Sequence, residues 1–197
     1  MKNDFTQITL TILFGVLVGG ADAAVLITPD GASTTATLAT GPTRGPVTNL
    51  IDGIADSSNG QGIFIQTSSD TLPVTISFEF NTEQTLEGFR LWNGWNSPGN
   101  AVVDFNLNFR DSGGSSLFMF SGTGTDPVGI ASAADFDDFT FTSIANVSSV
   151  DFVILTSNSA NGPELREVGF LAVVPEPSSA LLLVSGAIAV GMRRYRI

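Results

Sequence analysis

Carboxylates, amides and two tryptophans are the side chains of this sequence whose types could do chemistry. Histidine and cysteine are absent, and the one lysine is Lys2. The usual general base, thiol nucleophile and reactive amine are therefore missing from nearly the whole chain. Two carboxylates could hydrolyse a glycosidic bond, but no spacing singles out a pair among the 19 acidic residues, and no glycine-rich phosphate loop opens a helix. We therefore expect a binding protein and no enzyme.

One loop has the composition of a cation site. Residues 52–59 are rich in Asp, Asn and Ser, and Ca²⁺ prefers six to eight oxygen ligands at roughly 2.3–2.6 Å. The alternative is that Asp52 and Gly53 simply form a turn, as such pairs often do. A second acidic cluster lacks the EF-hand spacing, and we expect a solvated loop there: Asp135, Asp137 and Asp138.

The two tryptophans lie where a predicted strand runs into a polar loop. An exposed indole can stack on the C–H face of a sugar ring, and amides beside it can bind pairs of sugar hydroxyls. Trp95 has asparagine neighbours that give it this composition: Asn93, Asn96 and Asn100. Both tryptophans could instead close the hydrophobic core. We expect the core role for Trp92, whereas both roles stay open for Trp95.

Strand patterns fill the middle of the chain. Apolar and polar residues alternate over residues 74–80 and 103–110, which is the period of a strand with one buried face. A Gly-rich turn at 111–114 and an apolar run at 117–120 make the latter segment a predicted hairpin. Further strands are predicted, with a turn at 81–83 before the first of them: 86–92, 139–141, 152–155 and 168–173. About eight short strands separated by turn residues predict an all-β, antiparallel β-sandwich or jelly roll.

The predicted sandwich is strongly acidic. Residues 24–173 carry sixteen Asp and Glu side chains against four arginines, so the net charge is near −12. A surface of this charge attracts divalent cations and repels nucleic-acid phosphates, so no nucleic acid is expected as a partner. About 150 residues are enough for one domain with its own core, which does not need disulfides outside a cell.

Residues 1–23 have the pattern of a secretory signal peptide. A lysine supplies a positive end, residues 8–18 are the apolar core, and Ala21 and Ala23 form an A-x-A cleavage pattern. We expect a signal helix here, its removal by signal peptidase and a mature protein that begins at Ala24. The alternative is a buried N-terminal helix.

The C-terminal residues have the pattern of a membrane stop. Two prolines within residues 174–177 end any strand before them, and an apolar run follows at 180–190. Three arginines after that run cannot cross a bilayer cheaply: Arg193, Arg194 and Arg196. Counted with Gly191 and Met192, the apolar segment has about 13 residues and spans near 20 Å, against a hydrocarbon core of roughly 30 Å. Such a short helix suits a transient transmembrane segment better than a permanent anchor, although a plain anchor or a core helix are alternatives.

A motif, a hydrophobic helix and a basic tip thus follow one another in fixed order. The motif consists of Pro175, Glu176 and Pro177. Over residues 174–197 this order resembles the PEP-CTERM sorting signal of exported bacterial proteins. The resemblance implies cleavage near the motif by an exosortase, a membrane-embedded enzyme of Gram-negative bacteria that make exopolysaccharide. It also implies a transient stay in the inner membrane, then delivery to the cell surface, outer envelope or extracellular matrix.

Three segments of the predicted sandwich form a recognisable set: the Asp-Gly loop at 49–53, the strand pair at 76–91 and the closing strand at 165–170. Over residues 47–171 they resemble the discoidin family, also called coagulation-factor C-type or galactose-binding-like domains. In many members the Asp-Gly loop and a closing-strand glutamate hold a structural calcium ion. The resemblance implies three such ligands here: Asp52, Asp56 and Glu167. The segment 121–138 has no clear counterpart in the family.

Together these features predict an exported, exosortase-sorted protein of the cell surface or extracellular matrix. Its non-catalytic sandwich is expected to bind carbohydrate or exopolysaccharide, since domains of the resembled fold often bind sugars. The alternative is a structural envelope or matrix protein whose acidic sandwich is stabilised by calcium and has no specific glycan ligand. The predicted boundaries are 1–23 for the signal peptide, 24–173 for the discoidin-like sandwich and 174–197 for the sorting signal.

Overall fold

Antiparallel strands make up nearly all the regular structure of the described residues. The structure is a computed structural model that describes residues 23–38, 45–55, 62–65, 72–94, 99–126, 133–159 and 162–174. Its strands are β1 Ala23–Ile27, β2 Gly31–Thr34, β3 Ile63–Phe64, β4 Val74–Asn93, β5 Asp104–Arg110, β6 Ser116–Thr123, β7 Asp137–Ile154 and β8 Glu164–Val174. Within the same ranges, the helical structure is one 3-10 helix, Val47–Ile51.

The strands form one antiparallel sheet in the order β1-β8-β4-β7-β5-β6, with β2 beside β4 and β3 beside β8. The sheet folds into two layers because β4 and β7 are long and pair along both of their halves. Residues 74–79 pair with 149–154 in the first layer, to which β2, β5 and β6 also belong. Residues 88–91 pair with 137–140 in the second layer, together with β1, β3 and β8. The predicted all-β, antiparallel β-sandwich is thus confirmed.

The turn predicted at 81–83 is wrong, because β4 continues through it. The two halves of β4 do not pair with each other, as hairpin strands would, since both pair with β7. Register shifts between Glu79 and Gly88 mark a bulged corner where the polar side chains of 81–83 are exposed. Asn146 has a left-handed φ of 61° in β7 close to this corner. The strands predicted at 139–141 and 152–155 therefore belong to the single strand β7, which ends one residue before the second prediction does.

The predicted hairpin is confirmed. β5 pairs with β6 from Asp104 opposite Thr123 to Arg110 opposite Ser116. In the turn between them, Oδ1 of Asp111 accepts hydrogen bonds from the backbone N–H of two residues: Gly113 at 3.0 Å and Ser115 at 2.8 Å. This local hydrogen bonding is the reason that the Asp-Ser-Gly-Gly sequence reverses the chain.

Phenylalanines from both layers form the centre of the core. The ring centroid of Phe89, in the second layer, lies 5.8 Å from Phe105 and 5.5 Å from Phe152 in the first. Phe170 of the second layer lies 5.9 Å from Phe78 of the first. All five side chains are fully buried, and each such burial contributes about 1.5–3 kcal/mol. The core therefore lies between the layers and holds them together.

The two ends of the described chain lie side by side. β1 pairs with β8 from Ala23 opposite Val174 to Ile27 opposite Phe170. Apart from Ala23 and Val174, the predicted signal peptide and sorting signal lie outside the described residues, and among the described residues no helix is long and apolar enough to span a membrane. The motif and basic tip of the sorting signal fall in that outside part: Pro175, Glu176, Pro177, Arg193, Arg194 and Arg196.

Candidate functional site

Three connections meet at the end of the sandwich where β4 ends and β8 begins. They are the connections that follow β4, β6 and β7, and we call their described residues the loop end. The backbone N–H of Gly124 donates to the carbonyl oxygen of Val103 at 2.8 Å. Oδ2 of Asp126 accepts from the N–H of Gly99 and from Nδ2 of Asn158, both at 2.7 Å. These hydrogen bonds hold the three connections in one cluster.

Asn93 holds the loop end together from inside and is only 3% exposed. Its Nδ2 donates to the carbonyl oxygens of Val102 at 2.8 Å and Thr125 at 3.0 Å. Its Oδ1 accepts from the backbone N–H of Val102 at 2.9 Å and Gly94 at 3.1 Å. These four bonds use the whole capacity of the amide. Backbone groups thus already saturate the Asn93 amide, and the predicted part of Asn93 in ligand binding stays a prediction.

A glycine allows this close packing around Asn93. A Cβ atom on Gly124 would lie 2.6 Å from Nδ2 of Asn93 and 2.8 Å from the carbonyl oxygen of Val102. Both distances are shorter than van der Waals contact, so only glycine lets the connection after β6 approach the end of β4.

Trp92 is buried, as predicted, with 7% of its surface exposed. Its Nε1 donates to the carbonyl oxygen of Ala133 at 2.9 Å. Its ring centroid lies 5.7 Å from that of Phe136, in the connection before β7. The other predicted sugar-binding residues, Trp95 and Asn96, lie outside the described residues, so their role stays a prediction.

An exposed aromatic ring lies over Trp92. Phe136 is 39% exposed, and the guanidinium carbon of Arg90 lies 3.8 Å from its ring centroid, within cation–π range. Arg90 is fixed in turn by a bidentate pair with Asp138, with Nε–Oδ1 at 2.6 Å and Nη2–Oδ2 at 2.7 Å. The Asp138 carboxylate raises the pKa of Arg90, so the charge on the guanidinium is secure.

A cavity of about 210 Å³ opens at the loop end, and we call it the cleft; it is lined by Leu91, Asn93, Thr125, Ala134, Asp135, Phe136 and Asp137. Oδ2 of Asp137 accepts from the backbone N–H of Thr125 at 2.8 Å, and Oδ1 accepts from the Thr125 hydroxyl. The cleft therefore combines one aromatic side chain with carboxylate, amide and hydroxyl groups.

The cleft is not predicted by the sequence. Of the three acidic residues expected in a solvated loop, Asp135 does lie in an exposed loop. Asp137 and Asp138 instead begin β7 and bond to Thr125 and Arg90. Since the lining residues come from three separate segments, no local pattern reveals them. One sequence signal is Phe136 itself, an aromatic residue with a carboxylate on each side, which a fully solvated loop would not require.

The predicted cation ligands Asp52 and Glu167 do come together. Glu167 is 3% exposed, its Oε1 accepts from the backbone N–H of Gly53 at 3.3 Å, and its Oε2 accepts no hydrogen bond from any described residue. Burial raises the pKa of Glu167 to about 8, the Gly53 hydrogen bond opposes this, and the charge of Asp52 adds to it. Among the described residues no three His, Cys, Asp or Glu side chains form a metal-binding group. Asp56, the third predicted ligand, lies outside them.

A fully buried arginine joins the loop that follows the 3-10 helix to the cleft. Arg166 donates to four backbone carbonyl oxygens: Ala55 at 2.8 Å, Asn93 at 3.3 Å, Gly94 at 3.1 Å and Asp135 at 2.6 Å. Three segments far apart in sequence are thus held by one guanidinium. The only sequence signal for this role of Arg166 is its place as the one basic residue of the closing strand.

A comparison with protein-family models finds no match for this sequence, and a comparison with curated proteins finds none. Solved structures do match the fold. The F5/8 type C domain of a Bacteroides fragilis protein has a TM-score of 0.57 at 16% identity, over 80% of this chain and 100% of that one.

Two sugar-binding proteins also match. The family 32 carbohydrate-binding module from Clostridium perfringens NanJ, in complex with galactose, has a TM-score of 0.56 at 13% identity, over 72% of this chain and 92% of that one. A Streptococcus pneumoniae fucose binding module has a TM-score of 0.54 at 11% identity, over 78% of this chain and 99% of that one. Identities this low show the fold alone, and that fold is the discoidin-like β-sandwich of F5/8 type C domains.

Proposed function

We propose that this chain is a non-catalytic carbohydrate-binding protein that acts outside the cell. The observation that carries the proposal is the cleft, where the exposed ring of Phe136 lies beside polar groups. The C–H face of a sugar can stack on such a ring while its hydroxyls bond to the polar groups. The cleft, at about 210 Å³, is smaller than the roughly 300–1,000 Å³ of pockets for drug-sized ligands. It therefore suits a single sugar unit.

The solved structures support this proposal by analogy of fold. One of them is in complex with galactose, and another is a fucose binding module. A shared fold does not carry function by itself. The proposal therefore depends on the cleft of this chain, which offers the aromatic and polar groups that sugar binding needs.

The proposal includes no catalytic step. Two carboxylates at the loop end already have structural tasks, because Asp137 accepts hydrogen bonds from Thr125 and Asp138 fixes Arg90. General acid–base catalysis needs a side chain placed to exchange a proton with the substrate. The absence of histidine from the chain removes the commonest such group.

Export and sorting belong to the same proposal and rest on sequence patterns. The signal-peptide pattern of residues 1–23 directs secretion, with signal peptidase as a transient partner. The Pro-Glu-Pro motif, the hydrophobic segment and the basic tip of residues 174–197 make the chain an exosortase substrate that passes through the inner membrane. Delivery to the cell surface or extracellular matrix then brings the cleft among polysaccharides.

Affinity electrophoresis of the full chain through gels that contain neutral polysaccharide tests the sugar-binding proposal. Galactomannan, xyloglucan and mixed-linkage β-glucan are suitable probes, and at least one should retard the chain. Phe136→Ala is expected to weaken this binding about tenfold, since loss of a contact of about 1.4 kcal/mol corresponds to that factor. Phe118→Ala is the matched control, because Phe118 on β6 is 40% exposed and Phe136 is 39% exposed. Equal losses in both variants, or no retardation by any probe, contradict the proposal.

A second candidate function is a calcium-stabilised structural protein of the envelope or matrix. The observation that favours it is the buried Oε2 of Glu167, which accepts no hydrogen bond from the described residues and lies beside the Asp52 carboxylate. A cation bound there would neutralise both charges, and the oxygen donors are of the kind that Ca²⁺ prefers. Asp52, Glu167 and the neighbouring Asp56 are the residues that would hold it.

Thermal unfolding of the full chain in Ca²⁺ and in EDTA tests this second candidate. Saturation a hundredfold above the Kd should stabilise the folded state by about 2.7 kcal/mol and raise its Tm. Glu167→Gln should abolish the difference between the two solutions, whereas Glu83→Gln, at an exposed position, should keep it. A Tm that is the same with and without millimolar Ca²⁺ contradicts the candidate.

A further inference from the structure

Carboxylates surround the cleft. Asp135 and Asp137 line it, and Asp138 lies beside Phe136 through its pair with Arg90. Asp126 adds a fourth negative charge where the connections of the loop end meet. The cleft is therefore a place of concentrated negative charge on a chain whose net charge is already −11.

The arginines within the described ranges do not offset this charge for a ligand. Arg90 is bonded bidentately to Asp138, and Arg110 to Asp151 at the other end of the sandwich. Arg166 is fully buried and donates to backbone carbonyl oxygens. Each guanidinium is already engaged, so a negatively charged ligand group would meet acceptors and like charge in the cleft.

The hydrogen-bonding groups of the cleft also disfavour a negatively charged ligand. A carboxylate only accepts hydrogen bonds, and the Asn93 amide has its donors bound to backbone carbonyl oxygens. Hydroxyl groups of a neutral sugar can donate to such acceptors. The carboxylate of a uronic acid or a sulfate ester cannot, and it would also be repelled by Asp135 and Asp137.

We infer that the cleft selects uncharged sugar rings and rejects glycans that carry carboxylate or sulfate groups. This inference rests on the proposed sugar-binding function and adds the class of sugar. The aromatic ring of Phe136 supplies the stacking surface, and the surrounding carboxylates supply both the acceptors for hydroxyls and the selectivity.

The test compares each neutral polysaccharide with the same polymer after oxidation of its C6 hydroxymethyl groups to carboxylates. In affinity electrophoresis at 0.05 M NaCl, the full chain should bind native galactomannan or xyloglucan at least tenfold more tightly than the oxidised form. Raising the salt to 0.5 M should narrow the difference, because it screens the repulsion. Native polymer should bind almost equally at both salt concentrations.

Oxidation of the polymer both adds a charge and removes a sugar hydroxyl. A variant that removes one charge from the cleft shows which of the two changes weakens binding. Asp135→Asn should improve binding of the oxidised polymer several-fold and leave binding of the native polymer within about twofold. Glu83→Gln removes one negative charge from the exposed corner of the sheet. It should change the binding of neither the oxidised nor the native polymer. Oxidised polymer that binds as tightly as native polymer, or equal effects of the two variants, overturns the inference while the proposed function stands. Absence of binding to every native and oxidised polymer overturns the proposed function and the inference with it.

Discussion

Arg166→Met is expected to lower the free energy of unfolding by about 3–5 kcal/mol, because buried backbone acceptors would lose their charged donor. Methionine fills a similar volume but donates no hydrogen bond. Four backbone carbonyl oxygens that now accept from the guanidinium would lose their donor. Each unsatisfied buried acceptor costs about 1–3 kcal/mol, with part recovered when water enters or the loops move.

Urea unfolding of the full chain measures this effect, as a fall in the midpoint at an unchanged slope. Arg166→Lys should fall between wild type and methionine, because one ammonium group cannot reach carbonyl oxygens on three segments. Arg110→Met is the control, because the ion pair of Arg110 with Asp151 is partly exposed: the two side chains are 36% and 19% exposed. Loss of this pair should lower the free energy of unfolding by no more than about 1 kcal/mol. Similar losses for Arg110→Met and Arg166→Met contradict the role assigned to Arg166.

In EDTA, the folded state is expected to lose stability as the pH rises, because of Glu167. Its pKa is raised to about 8 in the folded protein, from an ordinary value of 4.5. A raised pKa means that the folded state keeps a proton that the unfolded chain has released. The stabilising contribution is therefore complete below pH 4.5 and is lost as the pH rises through 8. One pH unit of pKa difference corresponds to about 1.4 kcal/mol, so we expect a loss of a few kcal/mol.

The difference between wild type and Glu167→Gln isolates this contribution from all other titrating groups. The urea midpoints of wild type and Glu167→Gln are measured at pH 5, 7 and 9. As the pH rises, the midpoint of wild type should fall relative to that of the glutamine variant. Ca²⁺ should reverse the slope, because a cation favours the ionised carboxylate. A constant difference between the two proteins from pH 5 to pH 9 would show that Glu167 does not titrate in this range.

The strands and the hairpin could be predicted because their signal is local. Apolar and polar residues alternate over 74–80 and 103–110, which indicates strands with one buried face. This pattern does not depend on which strand is the partner. The continuity of β4 and β7 could not be predicted, since a polar run such as 81–83 looks the same in a hairpin turn and in a bulged corner. Only the common partner strand distinguishes the two, and β7 lies some 60 residues further along the chain.

Some features of the candidate sites could likewise be predicted from the sequence, and others could not. Only resemblance to a family pairs Asp52 with Glu167, because residues as far apart as Gly53 and Glu167, 114 positions along the sequence, leave no local trace of contact. Asn93 was assigned to a ligand by its composition, yet its amide is consumed by the backbone of two other connections. Phe136 and Arg166 act through contacts that the fold creates. Composition thus indicated the kind of chemistry at the loop end but not the side chains available for it.

The pairing of Ala23 with Val174 fixes where the two ends of the described sandwich lie relative to the cleft. β8 begins at Glu164, whose backbone contacts Gly94 of the loop end, and finishes at Val174 beside the first residue of β1. Eleven strand residues span about 35 Å. Ala23 and Val174 therefore lie at the end of the sandwich remote from Phe136. A ligand that enters the cleft would thus approach the sandwich from the end opposite both of these residues.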